Sequence, residues 1–160
     1  MRKIKKPIVS MGVILSLLGI GATVYAHCQI PCGIYNDPAR ITAMAEHITT
    51  IEKSMNQINA SGTNTNQSVR WVLNKEKHAD ELANIVTYYF MAQRIKPSAK
   101  VHSEAYSKYI KELTLLHQLL QTSMKAKQTT DLAQITKLKS LLHDFSDSYL
   151  GVHSHAGHTH

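Results

Sequence analysis

His27, Cys28 and Cys32 place one imidazole and two thiols within six residues of each other, directly after a stretch built like a secretory leader. Cutting the chain after Ala26 gives His27 a free α-amine beside its own imidazole. That amine and the amide nitrogen of Cys28 are consecutive donors, so they close a five-membered chelate ring around one metal ion. The amide nitrogen and thiolate of Cys28 close a second ring. Cys32 adds another thiolate if the chain turns sharply, and its neighbours favour that: Pro31 has a fixed φ and Gly33 accepts backbone angles that other residues resist. The result is a plane of two nitrogens and two sulfurs, with the His27 imidazole able to approach from one side. Planar coordination with a deprotonated amide suits Ni(II) or Cu(II), whereas zinc prefers a tetrahedron. Anionic donors push electron density onto the metal and bring its higher oxidation state within reach, so the site is suited to one-electron chemistry.

The donor set depends on the leader. Arg2, Lys3, Lys5 and Lys6 precede an uncharged run from Ile8 to Ile20, and Val24 and Ala26 are the small residues signal peptidase accepts before a cut. The apolar run is short for a span of about 20 residues. A lipoprotein leader needs a small residue before the cysteine, where His27 stands, and a twin-arginine leader needs a pair where Arg2-Lys3 stands. The expectation is export to the periplasm or the extracellular space, with no membrane attachment after cleavage. Of the 18 Lys and Arg, four leave with the leader, so 14 face 11 acidic residues and the mature charge is +3. With no basic patch interleaved with aromatics, nucleic acid is not an expected partner. Cys28 and Cys32 are the only cysteines. A disulfide is the plain alternative in an oxidising compartment, but it would close a tiny loop at a chain end and stabilise little.

Helices are expected to carry this segment. Asp37 reads as an N-cap with Pro38 at the first helical position. Ile41, Met44, Ile48, Ile51, Met55 and Ile58 then recur at helical spacing until the polar stretch 59–66. A second helix over about 67–95 has the seam Val69, Val72, Leu73, Ala79, Leu82, Val86, Tyr89 and Phe90, and Lys96-Pro97-Ser98 ends it. A third, over about 98–125, carries Tyr106, Ile110, Leu113, Leu116, Leu120 and Met124. A fourth follows Thr129-Thr130-Asp131 with Leu132, Ile135, Leu138, Leu142, Phe145 and Tyr149 inward. Short connections imply an all-α, antiparallel up-down four-helix bundle with an N-terminal metal-binding hook. The expected organisation is a signal peptide over 1–26, the hook over 27–36, the bundle over 37–150 and a disordered His-rich tail over 151–160. Met44, Met55 and Met124 read as packing residues. His47, His102, His117 and His143 read as surface or satisfied core, and the tail histidines as solvated or metal-gathering.

His27-Cys28-x-x-Pro31-Cys32-Gly33-x-Tyr35 resembles the nickel hook of the nickel-dependent superoxide dismutases. Arg70-Trp71-Val72-Leu73-Asn74-Lys75-Glu76, Tyr89-Phe90 and Leu116-His117-Gln118-Leu119 resemble later segments of that family in the same order. The resemblance implies a four-helix bundle assembling into homohexamers, with one nickel ion per subunit. It implies His27 amine and imidazole, Cys28 amide and sulfur, and Cys32 sulfur as ligands, with His27, Cys28, Cys32 and Tyr35 as the catalytic set. Tyr35 would order the anion at the open face. The implied reaction converts superoxide to dioxygen and hydrogen peroxide at a Ni(II)/Ni(III) centre. One departure stands out. The family's axial histidine is held by a Glu after an Arg-Ile pair and by an Arg on the second helix, positions taken here by Thr42 and His78. The expectation is that His78 or Glu46 takes over. A periplasmic nickel or copper carrier without enzymatic activity is the competing reading, and a disulfide-bearing structural bundle a third. No Ser/His/Asp order, phosphate loop or zinc motif supports a hydrolase or kinase.

Overall fold

The computed structural model describes residues 31, 33–98 and 100–151, and the leader, His27, Cys28, Cys32 and the histidine tail lie outside them. The described chain is helical throughout: α1 Asp37–Ala60, α2 Thr65–Asn84 continuing into a π-helical segment Ile85–Arg94, α3 Glu104–Gln128 and α4 Ala133–Leu150. No strand occurs among the described residues, and none of the helices is long and apolar enough to cross a membrane. α1 packs on α2 and α4, and α3 packs on α2 and α4, giving a four-helix bundle around one core.

Local chemistry sets the helix ends. Asn36, one residue before the expected cap, accepts the Ala39 N–H at 3.1 Å, which frees the Asp37 carboxylate for longer-range bonds. Asn64 and Ser103 cap α2 and α3, accepting from Gln67 and Tyr106. Gly151 ends α4 in the left-handed conformation, φ +66°, with its N–H on the Asp147 carbonyl.

The core contains Met44, Ile48, Ile51 and Met55 of α1, Ala79, Leu82, Val86, Tyr89 and Phe90, then Leu116, Leu119, Ala126, Ile135, Leu138, Leu142 and Phe145. The expected α1 seam lies in or against this core, with Ile58 half-buried beyond it. Two seams are rotated from expectation. On α2 the inward stripe runs through Trp71, Lys75, Ala79, Leu82 and Val86, so Val69, Val72 and Leu73 fall off it and are exposed. On α3 the buried positions are Glu112, Leu116, Leu119, Thr122, Ser123 and Ala126, which leaves Ile110 and Met124 exposed. Leu132 also faces solvent. In both helices some of the inward positions are held by polar side chains that find partners. Ser123 donates to the Ala79 carbonyl at 2.9 Å, and Asn74 to Ser54 at 2.9 Å.

Lys75 is the clearest case. Only 4% of it is exposed, and its ammonium donates to the carbonyls of Ala126, Lys127 and Thr129, with Glu76 at 3.5 Å. It therefore caps the C-terminus of α3, where unpaired carbonyls and the helix dipole favour a cation. Replacing it by the similarly sized methionine leaves those carbonyls without that donor. Lys75→Met is expected to destabilise the bundle by about 2 kcal/mol, from charge-assisted hydrogen bonds of about 1.5–3 kcal/mol. A thermal melt followed by circular dichroism checks it.

Candidate metal centre and the Tyr35 cluster

The described residues nearest the proposed ligands form a turn. The Ile34 N–H donates to the Pro31 carbonyl at 2.7 Å, and Gly33 has φ +81°. A positive φ at the third residue of a four-residue turn is where glycine is required, so the chain reverses direction between Pro31 and Ile34. No three His, Cys, Asp or Glu side chains converge on a possible ion among the described residues. His27, Cys28 and Cys32, the expected ligands, lie outside the described residues.

Tyr35 leaves this turn two residues ahead of α1, with 38% of its surface exposed. Its hydroxyl points at Gln93 Oε1 at 3.4 Å, and its ring meets the Tyr89 ring edge-on at 5.9 Å. The Arg94 guanidinium lies over the Tyr35 ring, 4.3 Å from its centroid. Arg94 is held by a forked ion pair with Asp37, Nη2 to Oδ2 at 2.6 Å and Nε to Oδ1 at 2.9 Å. The same carboxylate accepts Tyr89 Oη at 2.6 Å and Tyr149 Oη at 2.9 Å, and Tyr89 Oη in turn accepts the Asn36 N–H at 2.9 Å. One carboxylate thereby ties together the start of α1, the π segment and the end of α4. Behind it Phe90, Phe145 and Tyr149 pack ring against ring at 4.9–5.4 Å.

Burial alone would raise the Asp37 pKa, but hydrogen bonds from Arg94, Tyr89 and Tyr149 outweigh it and hold the carboxyl below its usual range. Burial and the neighbouring carboxylate push Tyr149 up to about 12 and raise Tyr89 as well. The cluster is therefore one fixed anion, one fixed cation and neutral phenols at neutral pH.

The sequence places Tyr89 and Tyr149 in the core seams, and its periodicity marks neither Gln93 nor Arg94. Their arrangement depends on the π register. Tyr89 and Arg94, five residues apart, would diverge by about 140° on an α-helix at 100° per residue. In a π-helix, whose bonds run i→i+5, both can reach Asp37. The Ile95 N–H bonds the Phe90 carbonyl at 2.9 Å, and Gln93 Nε2 donates to the Tyr88 carbonyl at 2.7 Å. The second helix, expected over about 67–95, is α-helical to Asn84 and π-helical from Ile85 to Arg94. Asp37-Pro38 beside the hook was the one visible signal.

Thr42 is exposed and its hydroxyl bonds back to the Pro38 carbonyl at 3.1 Å, so it is engaged within its own helix. His78 faces His47 across α1 and α2, Nδ1 to Nδ1 at 2.8 Å with ring centroids 5.1 Å apart. The two nitrogens point at each other, as in a shared hydrogen bond, which requires one to donate and the other to accept. Burial, with His78 adding to it, lowers the His47 pKa, while Glu81 and Glu46 oppose the shift. A histidine with a lowered folded pKa contributes stability that is present above the unfolded value of 6.5 and is lost as pH falls through the folded value. The melting temperature is expected to drop between pH 7 and pH 5, and His47→Gln to flatten that part of the profile.

Residues 22–152 match a family model described as nickel-containing superoxide dismutase. A protein of Streptomyces coelicolor named superoxide dismutase (Ni) is 33% identical over 104 residues, covering 65% of this chain and 67% of that protein. One of Streptomyces seoulensis with the same name is 32% identical over 108 residues, covering 68% and 73%. No solved structure matches the chain.

Proposed function

The chain belongs to the nickel-containing superoxide dismutase family, and from that membership we propose that it disproportionates superoxide to dioxygen and hydrogen peroxide. The match over residues 22–152 carries the reading, because it takes in His27, Cys28, Cys32 and Tyr35. When bound, nickel supplies the one-electron chemistry of the Ni(II)/Ni(III) couple. His27 holds the ion through its α-amine and imidazole, Cys28 through its amide nitrogen and sulfur, and Cys32 through its sulfur. The sharp turn from Pro31 to Ile34 supports this folding-back. Tyr35 orders the incoming anion, and its anchored, partly exposed ring suits that task. His78 is committed to His47 through Nδ1, which leaves its Nε2 as the nitrogen with which it would support His27.

The reading extends to the whole precursor. Residues 1–26 direct export to the periplasm or beyond and are removed, 27–36 form the hook, 37–150 the bundle, and 151–160 a His-rich tail. The packing of α1 and α3 each against α2 and α4 supports up-down connectivity. Each subunit takes one nickel ion, and the subunits assemble as a homohexamer.

The direct experiment sequences the N-terminus of the exported protein, loads it with nickel and measures superoxide decay. His27 as first residue, one nickel per chain and turnover that disappears with the metal are expected. A different terminus would sink the proposal, and nickel uptake without turnover would favour the carrier reading.

A further inference from the structure

We infer that Arg94 is the positioning residue for Tyr35, setting from the π segment the phenol that faces the anion. This rests on the reading of Tyr35 just given. Tyr35 precedes α1, so no helical ladder holds its backbone, and more than a third of it is open to solvent. A ring so placed keeps one orientation only if side chains hold it. Three do: the Arg94 guanidinium on its face at 4.3 Å, the Tyr89 edge at 5.9 Å, and Gln93 at its hydroxyl at 3.4 Å.

Arg94 is the one of these with a fixed charge and a fixed plane. Its fork on Asp37 leaves little freedom for the guanidinium to rotate, and Tyr89 and Tyr149 fix Asp37 in turn. The planar face therefore stays parked against Tyr35. Lysine could supply the charge but neither the fork nor the flat surface. Since Asp37 largely neutralises Arg94, its influence on an anion acts through the placement of the phenol rather than through long-range attraction.

The test uses the mature full chain and the variants Arg94→Met, Arg94→Lys, Tyr35→Phe and Tyr149→Phe. One readout is the set of Tyr35 ring resonances in the metal-free protein. The other is the dissociation constant of azide, an inert monoanion, followed by the absorption of the nickel-loaded protein. Arg94→Met is expected to move the Tyr35 resonances and to weaken azide about two- to fivefold, the size of an exposed cation–π contact. Arg94→Lys should recover only part of both. Tyr149→Phe, which removes one of the bonds that fix Asp37, should shift both readouts in the same direction as Arg94→Met but by less. Unchanged Tyr35 resonances and azide affinity in Arg94→Met, with azide weakened in Tyr35→Phe, would overturn the inference. Azide affinity unchanged in Tyr35→Phe would instead overturn the anion-ordering role of Tyr35, and the ring resonances would still decide whether Arg94 positions it. If Arg94→Met fails to fold, Arg94→Lys carries the same comparison.

Discussion

A mature chain with one extra residue ahead of His27 is expected to lose superoxide turnover while its bundle melts at the same temperature as the authentic protein. The extra residue turns the α-amine of His27 into an amide. That nitrogen no longer offers a lone pair at neutral pH, and the first chelate ring cannot close without further deprotonation. The imidazole, both thiols and all four helices remain. Changes to outer-shell partners alone cost about 10–100-fold in metal affinity or activity, and loss of a ligand atom should exceed that range. Nickel content by atomic absorption and superoxide decay by pulse radiolysis check the result, using a chain cut after Tyr25 so that Ala26 is retained. Normal turnover in that chain would mean the α-amine is not a ligand. Export and activation would then be separable, whereas the proposed mechanism makes them one event.

Asp37→Ala is expected to have the largest effect on stability. It removes the acceptor shared by Arg94, Tyr89 and Tyr149, and leaves a partly buried guanidinium without its counter-ion. Breaking a buried pair by removing one partner costs about 3–5 kcal/mol. Arg94 keeps 28% of its side chain exposed, which lets water take up part of the loss, so about 3 kcal/mol is the expected figure. For a domain of this size that lowers the melting temperature by about 10 °C. The pH dependence has a definite sign. A carboxyl with a lowered folded pKa contributes stability that is present above its unfolded value of 3.8 and disappears as pH falls through the folded value. The variant and the authentic protein should therefore differ most at neutral pH and converge in acid. Melts at pH 7 and pH 3 decide it.

Lys75, buried at the end of α3, makes the same point about polar groups in this fold. Its position in a segment resembling the family, Asn74-Lys75-Glu76, invites a functional reading, yet its three carbonyl partners give it a structural one. Glu112 is the contrasting case. Burial raises its pKa, and its Oε1 is buried without a hydrogen-bond partner, although Lys108 lies 3.7 Å away. That buried polar position helped hide the α3 seam from hydropathy, since periodicity scores an inward Glu, Thr or Ser as outward.

The proposed donor set of His27, Cys28 and Cys32 comes from the amino-acid sequence by itself, because these residues are neighbours along the chain and their chelate rings would follow from covalent connectivity. The sequence also determined the helical class and the α1 seam, where apolar residues recur at helical spacing without interruption. Only the tertiary structure decided what surrounds Tyr35. Asp37 meets Tyr89, Arg94 and Tyr149 from 52, 57 and 112 residues away, and no local rule links positions so far apart. The π register that brings Tyr89 and Arg94 to one face leaves no mark in the hydropathy pattern. The pairing of His47 with His78 likewise depends on the relative rotation of α1 and α2, which the rotated inward stripe on α2 sets. The fold adds the clamp in which Asp37 and Arg94 hold Tyr35, the one proposed catalytic residue that is not a proposed ligand.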